Sequence, residues 1–232
     1  GLSIKKLCTN EDIKATIEAT SDVEVDVIND SIYPWGIISG TDSLYNPISG
    51  GTITLVFETD YITELTYTSR ASTIYVDGTM QKAGEYIPAG EHEISIKSIY
   101  NNAIIKGLSI KKVCSDADIE VLIESNSDVD VTVINDSIHP WIIMGKDTIG
   151  NHQPNAKFSI TYSSNKTTRF YFERKKSDRV YIDNIEYPAT LVNGYLFAGT
   201  HTITFVSNSD VDNRRLANII NFSIHEIEDA ME

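Results

Sequence analysis

The sequence is poor in cysteine, proline and basic residues, and each shortage excludes something. There are two cysteines in 232 residues, Cys8 and Cys114. They fall at the same place in two similar stretches. Neither stretch can close a disulfide of its own, so this is not a small disulfide scaffold. Six prolines are too few for a proline-rich spacer. No run approaches the roughly 20 apolar residues that cross a bilayer as a helix, and no signal peptide is visible. Lys and Arg number 19 against 33 Asp and Glu, for a net charge of −14 at pH 7. That balance argues against nucleic acid and against an anionic membrane surface, both of which need concentrated cations. The signatures of catalysis are missing too. There is no Gly-rich phosphate loop, no H-E-x-x-H, no Cys pair at zinc spacing and no nucleophile elbow. We therefore expect no enzymatic activity and no cofactor.

What the sequence does have is a duplication. GLSIKKLCTNEDIKATIEATSDVEVDVINDSIYPW begins at Gly1, and GLSIKKVCSDADIEVLIESNSDVDVTVINDSIHPW begins at Gly107, without a gap. A period of about a hundred residues is too long for a solenoid and fits a complete small domain. The later parts keep landmarks only. Tyr75-Val-Asp-Gly matches Tyr181-Ile-Asp-Asn, and Pro88-Ala-Gly-Glu-His matches Phe197-Ala-Gly-Thr-His. Asn221-Phe-Ser-Ile is a third relative of Gly107-Leu-Ser-Ile. We divide the chain into 1–19, the end strand of an upstream unit plus a connector; 20–113, a first sandwich; 114–125, a second connector; and 126–232, a second sandwich. On this reading the chain is cut from a longer array.

Period-2 alternation predicts strands. Val23, Val25 and Val27 alternate with Glu24 and Asp26; Ile53, Leu55 and Phe57 with Thr54 and Val56; Ile94 and Ile96 with Ser95 and Lys97. Each unit offers about seven such strands, the pattern of an antiparallel sandwich. Thr9-Asn-Glu-Asp and Ser115-Asp-Ala-Asp open capping-box-like segments, and we expect short helices there.

Several residues invite a functional reading beside a structural one. Tyr33-Pro34-Trp35 and His139-Pro140-Trp141 follow a strand exit. Their aromatics either stack on a sugar or plug the end of the sandwich, and the plug is favoured. Tyr33, Trp35, Tyr45, His139, Trp141 and Tyr171 are the ligand-binding candidates. Asp22, Asp26, Asp30, Asp128, Asp130 and Asp136 are hard-oxygen candidates for a structural calcium, although no spaced calcium loop is present. His92 and His201 each open a strand after a turn, where a ring can bond the turn backbone; neither has a sequence neighbour that completes a zinc site. Residues 166–180 carry Lys166, Arg169, Arg174, Lys175, Lys176 and Arg179 against two carboxylates. This is either a docking patch for an acidic partner or an exposed hairpin.

The order Ile-Asn-Asp-Ser-Ile-Tyr-Pro-Trp, then Tyr-Val-Asp, then Ala-Gly-Glu-His-Glu-Ile, then a closing strand, resembles jelly-roll sandwich domains repeated in bacterial surface and secreted proteins, relatives of carbohydrate-binding modules. The closing strand of such domains usually reads Asp-x-Ile-x-Ile; here Gly107-Leu-Ser-Ile and Asn221-Phe-Ser-Ile stand in its place. The resemblance implies an all-β chain of two tandem antiparallel jelly-roll, galactose-binding-like sandwiches joined by short helical connectors. It further implies an extracellular or cell-surface location and a non-catalytic role. The partners would be glycans, another surface protein or neighbouring repeats. Adhesion, spacing or display is the first expectation, and a pair of carbohydrate-binding modules is the alternative.

Overall fold

A computed structural model describes residues 8–151, 153–174, 178–188, 193–207 and 217–228. The proposed upstream strand, residues 1–6, lies outside the described residues, as do Lys175 and Lys176. The chain divides into two compact units, Gly1–Lys112 and Val113–Glu232. Among the described residues each is all-β apart from one short helix.

In the first unit the helix α1 is Asn10–Glu18. The strands are β1 Asp26–Asn29, β2 Gly36–Ile37, β3 Leu44–Asn46, β4 Thr52–Thr59, β5 Ile62–Arg70, β6 Ser72–Val76, β7 Thr79–Gln81, β8 Glu85–Ile87, β9 Gly90–Ser98 and β10 Ala103–Cys114. In the second, the helix α2 is Asp116–Glu124. Its strands are β11 Val131–Ile134, β12 Ile142–Ile143, β13 Thr148–Asn151, β14 Lys157–Ser164, β15 Thr168–Arg174, β16 Arg179–Ile182, β17 Ile185–Tyr187, β18 Asn193–Leu196, β19 Gly199–Val206 and β20 Ala217–Glu226.

The first unit holds two five-stranded sheets, ordered β1-β4-β9-β6-β7 and β2-β3-β10-β5-β8. The second repeats the plan as β11-β14-β19-β16-β17 and β12-β13-β20-β15-β18. All paired strands given a register run antiparallel. Alternation puts one face of each sheet inside. Ile53, Leu55, Ile74, Ile94 and Ile96 of one sheet share a single buried cluster with Leu44, Leu65, Ile87, Ile105, Leu108 and Ile110 of the other. That shared core makes the unit a β-sandwich. The second core is aromatic at equivalent places. Ile53 and Ile96 face each other across β4 and β9, as Phe158 and Phe205 do across β14 and β19. Phe205 meets Phe172 and Phe222 edge-on at 5.0 and 6.0 Å between ring centroids.

The helices form where the capping signal lies. The Thr9 hydroxyl accepts from the Asp12 N–H, and Ser115 does the same with Asp118; both boxes are reciprocal. Ile13 and Ile17 are spaced one turn apart and both join the core of their own unit. Ile119 and Ile123 are buried likewise. The helix is thus a packed element of its unit.

Two substitutions between the copies have a backbone reason. Gly107 and Asn221 open the matching segments of β10 and β20, with φ of +57° and +53°. Glycine and asparagine are the residues that tolerate this left-handed conformation. The β6–β7 turn, Asp77-Gly78, and the β16–β17 turn, Asp183-Asn184, have positive φ at both residues, as a two-residue hairpin turn of the primed type demands.

Candidate functional site

The Asn-Asp-Ser-Ile-x-Pro-Trp segment is a folded loop held by its own side chains. Asn29 Oδ1 accepts from the Asp30 N–H at 3.0 Å and the Trp35 N–H at 2.9 Å, while its Nδ2 donates to the Trp35 carbonyl at 2.8 Å. Asn135 makes the same three bonds to Asp136 and Trp141 at 2.7–2.9 Å, and a fourth to Asp116. Asp30 Oδ1 accepts from Ile32 and Tyr33, and its Oδ2 from Thr52 at the start of β4. Asp136 accepts equivalently from Ile138, His139 and Lys157. The loop thereby delivers its tryptophan inward. Trp35 is 1% exposed and Trp141 0%, and the Trp35 indole N–H donates to the Gly51 carbonyl at 3.2 Å. The ligand-binding candidacy of Trp35 and Trp141 is therefore corrected: a ring closed in by core side chains has no face to offer a sugar.

The remaining aromatic candidates are engaged separately. Tyr33 is 40% exposed on the loop, and His139 is half-buried beside Trp141. The Tyr45 hydroxyl donates to Asn102 at 2.7 Å. The Tyr171 hydroxyl donates to Glu173 at 3.0 Å, which raises its pKa.

Five of the six aspartates hold backbone or cations of the protein itself. Asp22 accepts from the Lys112 N–H at 3.0 Å and from Lys111 Nζ at 3.1 Å. Asp128 takes the Glu226 N–H at 3.2 Å and His225 at 3.1 Å. Both therefore tie the segment after the helix to the closing strand. Asp26 lies 3.4 Å from Lys14 Nζ, and Asp130 is exposed. Among the described residues no three His, Cys, Asp or Glu converge as a metal site. The Lys112 amide, then the Lys111 bond, hold Asp22 below the usual carboxylate range. The Tyr33 and Ile32 amides do the same for Asp30. At Asp136 burial works the other way, and the His139, Lys157 and Ile138 amides outweigh it. These carboxylates already find their counter-groups within the chain, so chelating divalent cations is expected to leave the melting temperature unchanged. A drop of several degrees on adding chelator would instead show an ion bound to the folded state.

The histidines belong to a second repeated device. His92 Nδ1 lies 2.7 Å from Asp77 Oδ2, and its Nε2 is 2.9 Å from the Pro88 carbonyl. His201 repeats this with Asp183 at 2.8 Å and Phe197 at 2.8 Å. The other oxygen of each aspartate accepts from the Glu93 or Thr202 amide. Each clasp pins the primed turn to the hairpin that precedes the following strand. The histidine thus does have a carboxylate partner, supplied from 15 or 18 residues upstream. Burial disfavours protonated His201, but the Asp183 bond, the Phe197 carbonyl and the Asp183 charge together raise its pKa. A folded pKa above the unfolded value of about 6.5 stabilises the fold fully below that value. The contribution is lost as pH rises through the folded pKa. Melting temperature followed from pH 6 upward is expected to fall for the wild type and to lose that limb in His201→Gln.

Among its described residues, the basic stretch 166–180 does not form one patch. Lys166 pairs with Glu226 at 2.9 Å. Arg174 is half-buried, with its guanidinium on the Asp178 carbonyl. Arg179 lies on β16, in the other sheet. The strand pairing, not the sequence run, decides which charges share a surface.

That pairing leaves an open depression on each unit. In the first unit, about 420 Å³ are lined by Lys14, Glu24, Val25, Asp26, Val56, Phe57, Glu58 and Glu91. In the second, about 450 Å³ are lined by Lys157, Arg179, Tyr181, Asn184, Thr204 and Val206. The first is acidic. The second has two cations, an aromatic, an amide and a hydroxyl, and no carboxylate in its lining.

No protein-family model matches the chain, and no curated protein matches it. Among solved structures, AerE from Microcystis aeruginosa is 10% identical over 87% of this chain and 97% of its own, with a TM-score of 0.23. The tandem CBM51 modules of Sp3GH98, the family 98 glycoside hydrolase from Streptococcus pneumoniae SP3-BS71, are 13% identical over 85% of this chain and 92% of theirs, with a TM-score of 0.21. An anti-sigma factor domain-containing protein is 13% identical over 74% of this chain and 78% of its own, at 0.19. Likenesses at these scores carry no argument about what the chain does.

Proposed function

We propose that the chain is a tandem pair of non-catalytic β-sandwich modules, of jelly-roll, galactose-binding-like type. We place it in a bacterial cell-surface or secreted protein, where it serves adhesion, spacing or display. One observation carries this reading. The polar residues kept in both copies, Asn29/Asn135, Asp30/Asp136 and His92/His201, make the same bonds to their own backbone in both units. What is repeated is therefore scaffold, and scaffold repeated along a chain spaces or presents whatever differs between the copies.

A second reading, a carbohydrate-binding pair, is favoured by the depression on the second unit, whose lining mixes Tyr181 with hydroxyl, amide and cationic groups. Small polar-ligand sites are built from such convergent groups on a firm support. The two readings separate on a broad glycan array. Retention of the intact chain supports the second, and no retention anywhere sinks it and leaves spacing. Mass spectrometry of retained glycans is expected to find them unaltered. A cleaved or modified glycan would contradict a non-catalytic role.

A further inference from the structure

We infer that the outer face of the sheet β11-β14-β19-β16-β17 carries a binding site for a carboxylated sugar, held between Lys157 and Arg179. This rests on the carbohydrate-binding reading and names its ligand class. Register builds the site. Lys157 on β14 and Arg179 on β16 both pair with Val206 on the intervening β19. The two cations therefore flank one apolar residue in a single row, their backbones about 10 Å apart. In the next row Ser159, Thr204 and Tyr181 stand side by side, with Glu186 beyond Tyr181 on the edge strand β17, and Ser159 and Thr204 share a 2.8 Å hydroxyl contact. Asn184, held at φ +67° in the primed turn, lines the same depression of about 450 Å³.

Neither cation is spent. Lys157 and Arg179 are exposed and, among the described residues, neither side chain has an ion pair. The corresponding row of the first unit is Thr52, Lys97 and Thr73. There the single cation sits in the middle, 5.1 Å over the Tyr75 ring. The second unit has exchanged that arrangement for an apolar floor with a cation on either side, and among the described residues no cation lies over the Tyr181 ring, the counterpart of Tyr75. Guanidinium and ammonium groups facing one space favour a carboxylate. The hydroxyl row, the amide and the tyrosine suit the hydroxyls and apolar face of a pyranose. A sheet face is also a firmer support than a loop.

The test is titration calorimetry on the full chain with oligogalacturonate, the neutral galacto-oligosaccharide of equal length, and a poly-glutamate peptide. Oligogalacturonate is expected to bind, and the neutral sugar to bind at least tenfold more weakly. The double variant Lys157→Gln/Arg179→Gln is expected to lose about tenfold or more in affinity. Its melting temperature should be unchanged, because both side chains are exposed, and Lys97→Gln should bind like the wild type. Undiminished uronate binding by the double variant would overturn the proposal. So would poly-glutamate binding more tightly than the uronate, which marks an acidic-peptide site. Neutral-sugar binding that ignores both substitutions would overturn this site and leave the carbohydrate-binding reading standing. Absence of binding by all three probes would overturn this site, and the glycan array above decides the broader reading.

Discussion

Trp35→Ala is expected to destabilise the first unit by about 3–5 kcal/mol, the cost of emptying a large buried aromatic site. Trp141→Ala is expected to do the same to the second. Both indoles are fully enclosed, and Trp141 packs on Phe158 at 5.7 Å between ring centroids. The Phe variants should separate the two. Trp35 donates to the Gly51 carbonyl, whereas the Trp141 indole N–H has no partner among the described residues. Trp35→Phe gives up a hydrogen bond worth about 1 kcal/mol. Trp141→Phe removes an unpaired buried donor, so it is expected to cost less. Denaturant unfolding followed by far-ultraviolet circular dichroism measures all four. A loss below about 1 kcal/mol in both alanine variants would mean that the rings are not core.

Asn29→Ala and Asn135→Ala are expected to cost about 2–4 kcal/mol each, through a different route. Each amide satisfies both the N–H and the C=O of the tryptophan six residues on. Truncation strands these two groups beside a buried ring, at roughly 1–2 kcal/mol apiece. The Asp variants should be nearly as damaging. A carboxylate can accept from the Trp N–H but cannot donate to its carbonyl, so one group stays unpaired. Asn135→Ala also loses the 2.9 Å bond to Asp116 at the start of α2 and should be the costlier of the two. Equal stability of wild type and both alanine variants would remove the loop from the account.

The sandwich was legible where physics acts locally. The Ile53-Leu55-Phe57 and Ile94-Ile96 alternations became the inner faces of β4 and β9, and the capping-box segments became α1 and α2. The inward tryptophan followed from its recurrence after an identical Asn-Asp-Ser-Ile in both copies. The His–Asp clasp was not seen, because nothing local ties Asp77 to His92. The only signal was that both residues recur at landmark positions. The charged faces were hidden for a stronger reason. Lys157, Arg179 and Val206 come from three strands, and only the register puts them in one row. The basic run 166–180 left a docking patch and an exposed hairpin both open, and sequence proximity could not decide between them, since β15 and β16 belong to different sheets.

The chain then reads as two uses of one scaffold. The conserved device is the polar loop that buries a tryptophan, together with the clasp that fixes a turn. The divergent device is the outer sheet face, acidic beside α1 in the first unit and cationic on the second. On the proposed reading, recognition belongs to the divergent part.

Each unit has a single tryptophan, so the most direct measurement is acrylamide quenching of tryptophan emission in the native chain, without and with saturating oligogalacturonate. The expected result is blue-shifted emission, weak quenching and no change on adding the sugar, because both rings are enclosed and the proposed site lies elsewhere. Strong quenching that the sugar relieves would contradict it, and would return Trp35 or Trp141 to the binding surface.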